Sequence, residues 1–125
     1  MTFTWLLRLH ALLAAIYALG LLALPRLILG LLASGALDPA GVAITRLFGA
    51  ALVLVTLLAW GAGQRTDRDL RRFVTTALFV YVTLGLLLTL IGQLNGTWKP
   101  LGWINVATYL IFVLGYGYCL FIRPE

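Results

Sequence analysis

Carboxylates are scarce in this 125-residue chain, where four Asp and Glu residues stand against nine Lys and Arg. All four, Asp38, Asp67, Asp69 and Glu125, fall between or beyond the apolar runs, so no acid lies where it could exchange protons with a cation crossing a membrane. Cysteine is scarcer still. The lone Cys119 excludes an internal disulfide and a thiolate-based metal site, and its apolar surroundings predict an inert buried thiol. One histidine, His10, excludes a bis-histidine haem and leaves no nucleophile–base pair. Its expected role is a packed or hydrogen-bonded side chain, with axial ligation of a single tetrapyrrole as a remote alternative. No catalytic residue, cofactor or metal site is expected, and the chain does not read as an enzyme.

What is present is apolar: 62% of residues are hydrophobic and only 10% are charged, against about a quarter charged in an ordinary soluble protein. A chain of this kind takes lipid as its solvent. The excess of basic residues does not point to nucleic acid, because they are few and lie beside apolar runs as juxtamembrane charge. Eight of the nine are arginine, a bias that suggests a bacterial inner (plasma) membrane. The apolar N-terminal run outlasts a signal peptide and is interrupted by Tyr17, so it reads as a retained helix.

Crossing a hydrocarbon core about 30 Å thick takes about 20 apolar residues, and four such spans fit, at about 5–24, 42–62, 73–94 and 101–121. The fold class is therefore all-α, a single transmembrane domain over 1–125 built as a four-helix bundle. Pro25 stops or kinks the first span. Residues 26–37 then read either as a short interfacial helix or as a continuation of that span. Asp38-Pro39 supplies an N-cap and a first-turn proline for the second helix. Thr66 and Asp69 are spaced as a capping box for the third.

If the loop between the second and third spans faces the cytoplasm, that side collects Arg8, Arg65, Arg68, Arg71, Arg72 and Arg123, which places both termini inside. Trp5 and Trp60 then mark the inner interface, and Trp98 and Trp103 the outer one. Asn95-Gly96-Thr97 matches a glycosylation sequon but lies too near the membrane to be used. YALGLL at 17–22 and YVTLGLL at 81–87 form a faint parallel repeat. Ala11, Ala14, Ala15 and Ala18, then Gly49 and Ala50, Gly85 and Gly92, and Gly115 supply the small residues that helices need for close contact in lipid.

The polar groups inside the spans are the candidate site. Arg46 lies eight residues after Asp38, about 12 Å along its helix. Three placements satisfy it: snorkelling to the headgroups, a structural network with Gln93 and Asn105, or an anion-binding pocket formed by Arg46, Gln93, Asn105 and Tyr109, with Thr89 and Thr108 at similar depth.

Small multidrug antiporters share the chain's length and helix number but depend on a membrane-embedded glutamate that is absent here. Fluoride channels are of similar size, and their glycine-rich first-helix motif and phenylalanine–threonine filter are missing. The run Arg46-Leu47-Phe48-Gly49 opening the second span resembles two groups of small four-helix proteins. One is a set of uncharacterised bacterial membrane proteins with an Arg-x-Phe-Gly start, a basic loop and an Asn-bearing fourth helix. The other, more distant, is the ergosterol-biosynthesis scaffold family, a likeness that implies tethering of enzymes within the membrane. The leading expectation is an accessory, scaffold or assembly subunit that meets membrane lipids and a protein partner or a second copy of itself. The alternative is a lipid or small-amphiphile binding or transport protein using the Arg46 pocket in the outer leaflet. A pigment-binding subunit organised by His10 is the third reading.

Overall fold

The computed structural model describes residues 2–35 and 38–122. Five α-helices follow in order: α1 Thr2–Ala23, α2 Pro25–Leu32, α3 Pro39–Gln64, α4 Arg68–Leu94 and α5 Trp103–Gly117. A 3-10 turn at Pro100–Gly102 precedes α5 and a π-helical turn at Tyr118–Ile122 follows it. Among the described residues there is no strand, and four stretches, Thr4–Ala23, Pro39–Gln64, Arg68–Leu94 and Pro100–Ile122, are long and apolar enough to span a membrane. Arg123 and Glu125, both assigned above from the sequence, lie outside the described residues, as do residues 36–37.

Local chemistry sets the helix ends. Asp38 accepts the Gly41 N–H at 2.6 Å, with Pro39 opening α3 as the sequence predicts. The capping box expected at Thr66 and Asp69 is replaced by a simpler cap. Asp67 accepts from the N–H groups of Asp69 at 3.0 Å and Leu70 at 3.4 Å, so α4 starts at Arg68. A carboxylate is the stronger N-cap, and it lies one residue closer to those donors than the Thr66 hydroxyl. At Pro25 the chain breaks: Leu24 has φ −131° and ψ 54°, and α2 is a separate helix. Ile28 stands 3.4 Å from where a Cβ on Gly20 would lie. Eight residues of straight helix would separate them by about 12 Å, so α2 doubles back and does not continue α1.

The long helices associate as two antiparallel pairs. In the first, Ala11, Ala14 and Ala18 are buried on α1, and Gly49 of α3 sits against Leu21 and Leu22 while Gly63 sits against Leu7. In the second, Gly85 and Gly92 of the α4 helix make room for Tyr109 and Trp98, and Gly117 faces Phe79. Long side chains join the pairs across α1 and α5, where Leu6 lies on Gly115 and His10 stacks on Phe112 with centroids 4.4 Å apart. The densest packing gathers Leu7, Ala59, Leu78, Tyr116 and Cys119 near the α3–α4 loop. At that end Arg8 lies over Trp60 at 5.7 Å, and Arg71 donates to Thr4 Oγ1 at 3.1 Å.

The opposite end is roofed. An isolated bridge joins Ala33 to Trp98, Ser34 N–H donates to the Thr97 carbonyl at 2.8 Å, and Lys99 N–H donates to the Leu32 carbonyl at 2.7 Å. Lys99 Nζ donates to the Gly30 carbonyl at 2.6 Å, placing a cation at the C-terminal end of α2.

Two outcomes test this packing. A Cβ on Gly49 would stand 3.1 Å from both Leu21 Cβ and Leu22 Cγ, while one on Gly61 would meet nothing within 4 Å. Gly49→Val is expected to cost about 2 kcal/mol by overpacking, and Gly61→Ala to be neutral or stabilising, both read by reversible unfolding in detergent. Thr75 is fully buried and its hydroxyl has no hydrogen-bond partner among the described residues. Thr75→Val, which keeps the shape and removes the orphan group, is expected to raise stability by about 1 kcal/mol in the same assay.

Candidate functional site

Because α3 pairs with α1 and α4 pairs with α5, the space between the pairs is not filled. A cavity of about 470 Å³ occupies it, running from His10 to the roof residues Leu32 and Trp98. Most of its wall is aliphatic or aromatic, including Leu13, Leu21, Phe48, Leu52 and Phe112. Ile44 on α3 and Leu84 and Leu88 on α4 line it while remaining 66%, 55% and 67% exposed. The mouth therefore opens sideways between α3 and α4. A smaller cavity of about 250 Å³ lies under α2, divided from the first by Tyr17, Ile28 and Leu32, which line both.

A set of uncharged polar groups interrupts the apolar wall. Tyr17 Oη donates to Asn105 Oδ1 at 2.5 Å. The hydroxyls of Tyr81 and Tyr109 are 3.3 Å apart. His10 Nδ1 pairs with Tyr116 Oη at 2.6 Å, behind the wall. His10, Tyr17, Tyr81, Asn105 and Tyr109 all line the cavity together with Thr45, Thr89 and Thr108. The threonine hydroxyls are committed elsewhere: each donates to the carbonyl four residues earlier, at 2.7–2.8 Å. Among the described residues no charged side chain lines the cavity.

The residues singled out from the sequence separate in the structure. Asn105 and Tyr109 line the cavity. Gln93 instead ties the roof, donating through Nε2 to the Lys99 carbonyl at 3.0 Å, with Oε1 buried against Gly102. Arg46 is exposed, lines neither cavity and has no hydrogen bond or ion pair among the described residues. Its neighbour Thr45 takes the inward position, because successive helical residues turn by about 100°. The structure thus does not bring Arg46, Gln93, Asn105 and Tyr109 together around one ligand.

Tyr17, Tyr81 and the cavity-lining position of His10 are not marked by any charge in the sequence. A signal for the two tyrosines was present in the near-repeated YALGLL and YVTLGLL segments, whose leading tyrosines both reach the cavity. Among the described residues no group of three or more His, Cys, Asp and Glu could hold a metal ion.

The His10–Tyr116 pair joins the two helix pairs inside the packed region. Tyr116→Phe strands His10 Nδ1 and is expected to cost about 1–3 kcal/mol, whereas adding His10→Phe removes both polar partners and recovers much of the loss. A double-mutant unfolding cycle in detergent measures that coupling.

A family model described as Domain of unknown function (DUF8292) matches residues 1–121. No curated protein and no solved structure matches the chain.

Proposed function

The chain belongs to the DUF8292 family, and from its cavity we propose that it is a non-catalytic membrane protein whose task is to bind an uncharged lipid-like amphiphile. The single observation that carries this reading is the 470 Å³ space between the helix pairs, apolar with a few hydrogen-bonding groups and open sideways between α3 and α4. Sites for small amphiphiles have this composition and this scale. A lateral mouth suits a ligand that reaches the site from the bilayer.

The wider setting rests on the chain's outer surface. Leucines such as Leu19, Leu57 and Leu88 are 65–69% exposed along helices long enough to span a membrane, a surface suited to lipid and not to water. The basic residues around the α3–α4 loop then orient that loop and both termini toward the cytoplasm of a plasma membrane.

Three other readings receive less support. An anion pocket needs Arg46 facing inward, and Arg46 is exposed outside the cavity. A scaffold role needs small-residue strips free to meet a partner; Ala11, Ala14, Ala18 and Gly49 are covered within the chain, Ala15 is half-buried and Ala50 is exposed. Axial ligation by His10 stands further back: with Tyr116 donating to Nδ1, the other ring nitrogen keeps its proton and has no lone pair for a metal.

The adjacent residues Thr45 and Arg46 provide the test. Native mass spectrometry of the full chain, extracted gently from its own membrane, is expected to show a co-purifying neutral amphiphile. Thr45→Trp fills the ligand's space and should lower that occupancy by about tenfold, while Arg46→Ala leaves it unchanged. Size-exclusion profiles check that both variants fold. Equal loss in the two variants, or loss in neither, rejects the cavity as the binding site.

A further inference from the structure

We infer that the cavity recognises the oxidised head of a quinone-type lipid, an uncharged ring bearing carbonyl acceptors on an apolar tail. The inference rests on the amphiphile-binding reading and adds the chemistry of the ligand.

Tyr116 is completely buried, and His10 Nδ1 is the sole hydrogen-bond partner of its hydroxyl among the described residues. Leaving that O–H unpaired would be costly, so Tyr116 donates and Nδ1 accepts. A neutral imidazole that accepts at one nitrogen carries its proton on the other. His10 Nε2 is therefore a donor. It makes no hydrogen bond with the described residues, and the ring lines the cavity, so a ligand there is the acceptor within its reach.

The remaining groups have the same polarity. Asn105 spends Oδ1 on the Tyr17 hydroxyl, which leaves its amide N–H donors for a ligand. Of the two hydroxyl protons on Tyr81 and Tyr109, one serves their mutual bond and the other is left over. The cavity thus offers a surplus of uncharged donors, which selects acceptor oxygens, and supplies no countercharge to a phosphate or carboxylate brought out of water.

Depth distinguishes the ring from other carbonyl lipids. Tyr81 is at the midpoint of α4 (Arg68–Leu94), about 20 Å from either end. The His10 and Tyr81 ring centroids are 6.5 Å apart, so two of the donors face the middle of the spans. A phospholipid or diacylglycerol holds its ester carbonyls beside a polar head that stays at the interface. A quinone has no such head, and its flat ring matches a wall where His10 stacks on Phe112 and Tyr81 meets Tyr109 edge-on. Its tail can leave through the mouth between α3 and α4.

The test titrates the delipidated full chain in detergent with decylubiquinone, its hydroquinone and a diacylglycerol, counting adducts by native mass spectrometry. One decylubiquinone per chain is expected, held at least about threefold more tightly than the hydroquinone, because each reduced oxygen brings a proton for which the donor-rich wall supplies few acceptors. Asn105→Leu should weaken it about fivefold. The quinone–hydroquinone comparison in the unaltered chain needs no variant to fold. Failure to retain decylubiquinone, equal retention of the hydroquinone, or preference for the diacylglycerol overturns the assignment. Retention of another neutral amphiphile, sensitive to Thr45→Trp, would overturn the quinone and leave the binding reading in place; a cavity that holds nothing overturns both.

Discussion

The closeness of α1 to α3 determines the rest of this molecule. Alanines along α1, with Gly49 and Gly63 on α3, let two backbones approach over nearly the whole helix length. That contact consumes the small-residue face of α1. What α1 has left for α5 is a row of larger side chains, Leu6, His10 and Tyr17. Leu6 finds a glycine opposite and packs down, whereas Tyr17 reaches across to Asn105 and holds the helices apart. A packed region near the α3–α4 loop and a cavity toward the roof follow from the size of these three residues along one edge of one helix.

The roof then limits how far the pairs can separate. α2 belongs to the first pair by sequence and residues 95–99 to the second, and they are joined by backbone hydrogen bonds through Ser34 and Lys99. Lys99 adds a charge-assisted bond to the last turn of α2. Closure at the roof and packing at the loop end leave the side between α3 and α4 open, where the wall residues are at once lining and exposed. Pro25 is the condition for this arrangement. Without the break at Leu24, α2 would extend α1 and could not bring Ile28 back against Gly20.

Much of this was legible in the residues. The long helices follow from apolar length, and Asp38-Pro39 opens α3 as its composition requires. Both ends of the 26–37 ambiguity were visible, since a proline breaks a helix without specifying the new direction. The site was less legible because a charge attracts attention in an apolar sequence, while facing direction depends on helix phase. Arg46 and Thr45 differ by one residue and face opposite surroundings. Phase could not be fixed from periodicity here, because these helices are apolar on every side. The polar pairs join residues as far apart as His10 and Tyr116, and only the antiparallel meeting of α1 and α5 brings them together.

Keeping every charge out of the cavity has a physical consequence for what can occupy it. An ion brought to the middle of the spans would lose its hydration and find no countercharge. Hydroxyls, an amide and an imidazole lose less, because each already has one partner in the wall: Tyr116 for His10, Tyr17 for Asn105, and Tyr81 for Tyr109. These pairings fix where the remaining donors point, so the polar surface is organised before any ligand arrives. Selection among membrane-soluble molecules would then depend on the number and position of their acceptor oxygens, since apolar contact favours any tail of suitable length. An outward Arg46 fits the same logic: its long stem can carry the guanidinium away from the cavity toward polar surroundings.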